Sequence, residues 1–172
     1  MQTEKVLLEA TLCFPISEYK VLLAQKTRGI GRGKLNGFGG GLEKDESLLD
    51  CCSRETLEES GLLIDKKDFV KVGIVYFHNT KSNGQVFVCK VYVFITTKWT
   101  GLPKDGDGMV DPKWYPIYGL PFGQMLPADR FWLSQIILSG KKIIAEVHYG
   151  PFQKELLRSV EIREVLSFSD DD

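Results

Sequence analysis

The spacing of apolar residues changes along the chain, and each change predicts an element. Residues 48–60 form the clearest helix, with Ser47 and Asp50 resembling a capping box before it and Gly61 a typical stop after it. Aliphatic, aromatic and β-branched runs predict strands at residues 5–14, 19–25, 70–77, 86–97, 113–117, 143–149 and 156–166. A second helix is predicted at residues 130–139, with Asp129 as its N-cap. This order predicts an α+β fold in which helices flank a mixed β-sheet.

Glycine-rich segments separate some of these elements. Residues 28–41 contain seven glycines, which predicts a loop with unusual backbone freedom, and residues 101–111 predict a second loop. No repeat or Pro- and Ser-rich linker divides the chain, so residues 1–166 are predicted to form a single domain. The acidic residues 167–172 are predicted to be a disordered tail.

Composition and charge limit the partners and the compartment that the sequence predicts. The 172-residue chain is 43% apolar and carries a net charge of −1, so its overall field does not favour a stable nucleic-acid complex. No apolar run approaches the roughly 20 residues of a membrane span, and no secretory signal pattern is present, which predicts a cytoplasmic protein. A monomer is expected, with a dimer left open. Four cysteines without paired spacing are predicted to be buried thiols, and His78 and His148 to be packing or surface residues.

Acidic residues cluster on one side of the first predicted helix. Glu55, Glu58 and Glu59 fall within a sector of about 100°, and Arg54 is the only cation of the helix. A solvated helix face is one interpretation, but like charges so close together destabilise a helix. The other interpretation is a set of ligands for a hard divalent cation such as Mg²⁺, which prefers oxygen donors and shares them with substrate phosphates.

A spacing pattern that starts before the helix favours the metal interpretation. The pattern runs Gly40-x5-Glu46-x7-Arg54-Glu55-Thr56-Leu57-Glu58-Glu59-Ser60-Gly61-Leu62. It resembles the Nudix box, with Thr56 as its one deviation at an aliphatic position. The resemblance implies a Nudix-type α/β/α sandwich and hydrolysis of a nucleoside diphosphate linkage with Mg²⁺, or Mn²⁺ as a substitute.

The same resemblance implies roles for individual residues. Glu55, Glu58 and Glu59 would be metal ligands together with the Gly39 carbonyl, and Glu58 or Glu59 would also act as the base. Arg54 would pair with a glutamate and fix its rotamer. Glu46 would belong to this set or would only be favoured near the helix N-terminus by the helix dipole.

Resemblance over nearly the whole chain extends to the MutT-homologue enzymes that hydrolyse oxidised purine nucleoside triphosphates. It implies substrate contacts at Thr11, Lys26, Asn36, Phe38, Gly39, Gly40, Leu126 and Asp129. Simpler interpretations stay open: Thr11 as a strand residue, Lys26 as a solvated cation, Asn36 as part of a turn, and Asp129 as a cap.

Three residues depart from that family pattern. Leu126 stands in place of a base-stacking tryptophan, Ala128 in place of a second aspartate and Ile30 in place of a phenylalanine. These changes weaken the expectation of selectivity for an oxidised base and leave the hydrolytic residues intact. A further acidic ligand is expected among Asp105, Asp107 and Asp111, with Asp107 slightly favoured.

The leading hypothesis is therefore a pyrophosphohydrolase that converts a purine nucleoside triphosphate to its monophosphate and pyrophosphate. One alternative is a Nudix hydrolase of a dinucleoside polyphosphate, a nucleotide sugar or an RNA 5′ end. The other is a Nudix-fold binding module without catalysis, which would require the loss of a box glutamate, and none is lost.

Overall fold

The computed structural model describes residues 8–172, which contain nine strands and two α-helices. The strands are β1 (Glu9–Ser17), β2 (Lys20–Lys26), β3 (Leu35–Asn36), β4 (Phe38–Gly41), β5 (Val70–Thr80), β6 (Val86–Thr96), β7 (Met109–Pro116), β8 (Lys142–Pro151) and β9 (Glu161–Val165). The helices are α1 (Leu48–Ser60) and α2 (Asp129–Ile137). Residues 5–7 of the first predicted strand lie outside the described residues.

These strands form one mixed sheet in the order β3-β2-β1-β6-β5-β8-β9, with β4 paired to β1 and β7 paired to β2. The β1–β6 and β5–β8 pairs are parallel, and the remaining pairs are antiparallel. Successive residues of a strand point to opposite faces. Accordingly, Ile74 packs in a core cluster with Cys52 of α1, whereas its neighbour Val75 packs in a cluster with Trp132 of α2. The helices therefore cover opposite faces, which confirms the α+β sandwich.

Helix α1 begins and ends where the sequence predicts. The Ser47 hydroxyl accepts a hydrogen bond from the backbone N–H of Asp50 at 3.1 Å, and Gly61 ends the helix in a left-handed conformation with φ 78°. The buried residues Cys51, Cys52 and Thr56 face the sheet. Burial of this side fixes which face of α1 carries the glutamates.

Two predictions about local structure are wrong. Residues 28–41 are not all loop, because β3 and β4 lie within them, and the glycines of β4 pair antiparallel with β1. Asp129 is not the N-cap of α2: it is the first helical residue, and Ala128 occupies the cap position without a side-chain hydrogen bond. In both places long-range packing outweighs the local signal.

Boundaries shift by several residues elsewhere. The strand predicted at residues 113–117 starts earlier, as β7, and the one predicted at 156–166 is reduced to β9. Residues 167–172 contain no helix or strand, although Phe168 packs against the second cluster with the Lys71 ammonium 5.2 Å from its ring centre. The domain boundary at residue 166 and the disorder of this tail stay predictions.

Candidate active site

Arg54 connects the acidic residues around α1. Its guanidinium donates two hydrogen bonds to the Glu46 carboxylate, at 2.7 and 2.9 Å, and one to Glu55 at 2.9 Å. The Glu58 carboxylate lies 3.4 Å away, and the Gly41 carbonyl accepts a further bond at 3.4 Å. The predicted pairing of Arg54 with a box glutamate is confirmed.

Glu46 belongs to this network rather than to the first turn of the helix, since it precedes α1. Hydrogen bonding from Arg54 lowers the pKa of its carboxyl, and the backbone N–H of Glu43 donates a further bond at 2.9 Å. A bidentate arginine–carboxylate pair has a fixed geometry. Glu46 therefore holds Arg54, and through it Glu55, in place.

Glu59 differs from the other box glutamates because it contacts the backbone of β4, whereas they contact Arg54. Burial raises the pKa of its carboxyl to about 8, and the neighbouring charge of Glu55 adds to this, while a hydrogen bond donated by the Gly39 N–H at 3.0 Å and the charge of Lys26 oppose it. The Glu58 side chain is 46% exposed and is thus open to water. The three carboxylates therefore have three different environments.

The glycines of β4 allow its backbone to approach α1 and β1 closely. A Cβ at Gly40 would lie 2.5 Å from the Glu55 carboxylate, and one at Gly39 would overlap the Thr11 carbonyl. Gly39 and Gly40 pair with Leu12 and Thr11. Glycine is required here by close approach rather than by turn formation.

The donor atoms of this region fit a hard divalent cation. The Glu55, Glu58 and Glu59 carboxylates supply oxygen atoms only, and one of them is buried, where its charge is costly unless a cation lies near it. Arg54 is shared among the carboxylates and leaves the group negative overall. The predicted use of these residues as metal ligands is consistent with this charge.

The three candidate aspartates before Trp114 have different contacts, with Asp105 and Asp107 in the loop and Asp111 in β7. The backbone N–H of Asp107 donates to the Glu58 carbonyl at 2.8 Å, and the Asp107 charge contributes to the raised pKa of Glu59. Asp105 accepts from the backbone of Asp111, whereas Asp107 and Asp111 each form an ion pair, with Arg28 at 2.7 Å and with Lys113 at 2.8 Å. This arrangement favours Asp107 as the additional acidic residue of the site.

A cavity of about 210 Å³ adjoins the glutamate cluster. It is bounded mainly by apolar side chains of β1, β5 and β6 and of the segment around α2, with polar groups at several points. Its lining includes the predicted substrate residues Thr11, Lys26, Asn36, Gly39, Gly40, Leu126 and Asp129, together with Glu59 and Ile30. The structure thus brings together residues that lie more than a hundred positions apart.

Phe38 is the exception among the predicted substrate residues. Its side chain is fully buried in the second core cluster, with Cys13 and Leu22, and it does not line the cavity. The Phe38 side chain therefore faces away from the cavity, and a substrate contact by this residue stays a prediction. Alternation along β4 explains this, because Phe38 and Gly39 point to opposite faces.

Asp129 is more deeply buried than Glu59, the other acid that lines the cavity. It is 3% exposed, and burial raises the pKa of its carboxyl to about 7. One carboxylate oxygen accepts from the Trp132 indole N–H at 3.2 Å, and the other has no hydrogen-bond partner among residues 8–172. A buried, half-satisfied carboxyl at a cavity wall is suited to binding a polar edge of a ligand.

Two polar residues of the cavity were missed by sequence reasoning. Asn79, on β5, is 6% exposed, and its side-chain oxygen accepts a hydrogen bond from the Gln153 amide at 2.7 Å. Both residues line the cavity. No motif contains them, and only the parallel pairing of β5 with β8 brings their segments together.

All four cysteines are buried and free, as predicted. No helix among residues 8–172 is long and apolar enough to cross a membrane.

Comparison with known proteins identifies the family. A model of the NUDIX domain matches residues 7–136. An oxidized purine nucleoside triphosphate hydrolase of Mus musculus is 34% identical over 158 residues, covering 92% of this chain and 96% of the mouse protein. The protein of the same name from Danio rerio is 35% identical over 153 residues, covering 89% and 90%.

Solved structures agree with the sequence comparison. The crystal structure of a MutT protein from Bacillus halodurans has a TM-score of 0.75 to this chain at 25% identity, covering 91% of this chain and 97% of that one. A MutT NUDIX hydrolase from Burkholderia pseudomallei, at 19% identity and a TM-score of 0.66, shares the fold. Since the family model spans most of the chain and includes the whole glutamate cluster, the protein belongs to the Nudix hydrolase family, whose members generally use a divalent metal ion.

Proposed function

We propose that this protein hydrolyses purine (deoxy)nucleoside triphosphates, oxidised ones such as 8-oxo-dGTP included, to the monophosphate and pyrophosphate. Mg²⁺ is the proposed cofactor, and Mn²⁺ can replace it. The observation that carries the proposal is the contact between two chemically different regions: the carboxylate cluster, suited to a metal and phosphates, and the largely apolar cavity beside it, suited to a flat base. Two relatives with 34% and 35% identity are named for this activity.

Within this proposal, Glu55, Glu58 and Glu59 hold the metal together with the Gly39 carbonyl. The bound metal neutralises phosphate charge, lowers the pKa of a water molecule and orients its attack. Arg54 keeps the Glu55 carboxylate turned toward the cluster through their 2.9 Å hydrogen bond. Glu58 or Glu59 accepts the proton of the attacking water: Glu58 is open to solvent, whereas Glu59 is buried and anchored by the Gly39 N–H.

The base is proposed to bind in the cavity. Apolar walls that include Phe77, Leu126 and Trp132 contact its faces, while Asn36 and Asp129 contact its polar edge. Because the pKa of Asp129 is about 7, its carboxyl is present in both protonation states near neutral pH. It can therefore donate or accept a hydrogen bond, which different purine edges require.

The remaining assignments are part of the same proposal. Thr11, Gly40 and Lys26 border the sugar and phosphates, with Lys26 placing a cation near the carboxylates. The substrate is a free nucleotide, and no stable nucleic-acid complex, a monomeric state and a cytoplasmic location are expected.

Hydrolysis of a nucleotide panel with Mg²⁺, measured by pyrophosphate release and by chromatography of the nucleoside monophosphate formed, tests the proposal. The panel contains dGTP, dATP, their oxidised and methylated forms, a pyrimidine triphosphate, a dinucleoside polyphosphate and a nucleotide sugar. We expect turnover of purine triphosphates above the others. Turnover confined to the dinucleoside polyphosphate or the nucleotide sugar would contradict the substrate assignment, and binding without any turnover would contradict catalysis.

Glu58→Gln separates the metal-site assignment from the substrate assignment. We expect loss of turnover with the fold retained, because a half-exposed glutamate contributes little to stability. Glu164→Gln, an exposed carboxylate on β9, is the matched control and should leave turnover unchanged. Near-normal activity of Glu58→Gln would show that this carboxylate is not required.

A further inference from the structure

The only two histidines of the chain lie side by side on the sheet, although 69 residues separate them in sequence. His78 of β5 and His148 of β8 are register partners on parallel strands. Their rings stack with centres 4.1 Å apart and planes 13° apart. Glu146 lies two residues before His148, on the same face of β8, and its carboxylate contacts Nε2 of His78.

These three side chains present metal-ligating atoms within a short distance. One nitrogen from each imidazole and one carboxylate oxygen all lie within 4.8 Å of one another. Ligand atoms around a tetrahedral zinc ion are about 3.3 Å apart, since zinc–nitrogen bonds are about 2.0–2.1 Å long. The ligand atoms would therefore have to approach one another by about 1.5 Å at most, and the stacked rings would have to turn so that a nitrogen of each points at the ion.

The group is partly buried and still reachable from solvent. The side chains of His78 and Glu146 are 26% and 40% exposed. A fourth coordination position can therefore be filled by water. Burial lowers the pKa of His148, which favours the neutral imidazole, the form that binds metal.

This group lies on the opposite face of the sheet from the cavity and shares no residue with the carboxylate cluster. Phe77 and Asn79, on either side of His78 in β5, line the cavity. Because adjacent strand residues point to opposite faces, His78 lies on the reverse side of the same strand. The donor chemistry differs as well: the carboxylate cluster offers only oxygen, whereas this group offers two imidazoles, which suit zinc and neighbouring transition metals.

We propose that His78, Glu146 and His148 form a second metal site, specific for a transition-metal ion of the zinc type and separate from the carboxylate cluster. The site crosslinks β5 and β8 on the face opposite the cavity. Metal binding at this site does not depend on nucleotide hydrolysis. The proposal can therefore be tested separately from the proposed function.

A Zn²⁺ titration monitored by histidine-selective ¹⁵N NMR tests this site directly. Since the chain has two histidines, both imidazole signals belong to the proposed ligands. Millimolar Mg²⁺ is kept present to occupy the carboxylate cluster, and the protein is wild type and full length. We expect both imidazoles to shift at one equivalent of Zn²⁺. Signals that stay unchanged, or a shift of only one imidazole, would overturn the proposal in favour of a simple His–Glu ion pair.

Two variants give a quantitative check by Zn²⁺ calorimetry in the same buffer. Glu146→Gln keeps the size of the side chain and should weaken binding by about 10- to 100-fold. Glu164→Gln removes an exposed carboxylate farther along β9, where it pairs with Lys141, and should leave the affinity unchanged. Equal affinity of Glu146→Gln and wild type would contradict the ligand assignment, and circular dichroism confirms that each variant is folded.

Discussion

Replacement of Asp129 by asparagine should change how the stability of the protein depends on pH. The carboxyl has a pKa of about 7 in the folded protein against an ordinary value of 3.8, because it is buried. A raised carboxyl pKa means that the folded state binds the proton more tightly than the unfolded chain does. Wild-type stability from this group is therefore fully present below about pH 4 and is lost progressively as pH rises to about 7.

The expected magnitude follows from the two pKa values. Each pKa unit corresponds to about 1.36 kcal/mol, so the loss between pH 4 and pH 7 reaches ~4 kcal/mol as an upper bound. The substituted asparagine has no titrating group and should lack this loss. Its amide still offers an oxygen to the Trp132 indole, as one carboxylate oxygen does now at 3.2 Å. Its NH₂ group, however, takes the place of the oxygen without a partner, which costs about 1–3 kcal/mol at every pH.

The effect of Asp129 is isolated by the difference in unfolding free energy between wild type and variant at two pH values. Free energies of unfolding in urea are compared for wild type and Asp129→Asn at about pH 5 and about pH 8. Relative to the variant, wild type should lose about 2–4 kcal/mol between the two pH values, and other titrating groups cancel. Asp65→Asn, at an exposed position, is the control and should follow wild type. Equal pH dependence of Asp129→Asn and wild type would refute the burial argument.

Two further substitutions probe the rest of the site. Arg54→Lys keeps the charge, but a lysine cannot bind Glu46 with two hydrogen bonds while reaching Glu55. We therefore expect kcat to fall by about 10- to 100-fold. A wild-type kcat in the pyrophosphate assay would contradict the positioning role. Asn79→Leu removes the oxygen that accepts a hydrogen bond from the Gln153 amide at the cavity wall. It should alter the kcat/KM ratios among purines with different polar substituents by at least about tenfold. An equal fall for all substrates would mean that Asn79 is only structural.

Sequence patterns within one segment were sufficient to predict the structure of that segment. Helix α1 is bounded by its own cap and its own glycine, and the box glutamates take their common face from helical periodicity alone. The pairing of Arg54 with a glutamate was implied by the resemblance to the Nudix box, whereas the role of Glu46 was left open and needed the structure.

Features that depend on strand pairing could not be anticipated. The side of β4 on which Phe38 lies is decided by its pairing with β1, and a segment with so many glycines has no hydrophobic alternation to reveal it. The Asn79–Gln153 pair and the His78–His148 stack both depend on the register of β5 and β8, for which no local motif exists. Asp129 resembled a cap because a polar residue before an apolar helix is typical of one, whereas burial gives it a different role.

The pairing of β4 with β1 also determines when the catalytic frame is assembled. The Gly39 and Gly40 peptides are strand residues of the sheet, so their conformational entropy is lost once, when the chain folds. Nucleotide binding need not order them again, and affinity is not reduced by that term. Amide hydrogen exchange in the nucleotide-free protein should accordingly be slow at residues 38–41 and fast at residues 28–31, which lie in the turn between β2 and β3. In the proposed function, the substrate phosphates therefore meet an ordered backbone at residues 38–41, and the loop before β3 is the more mobile part of the site.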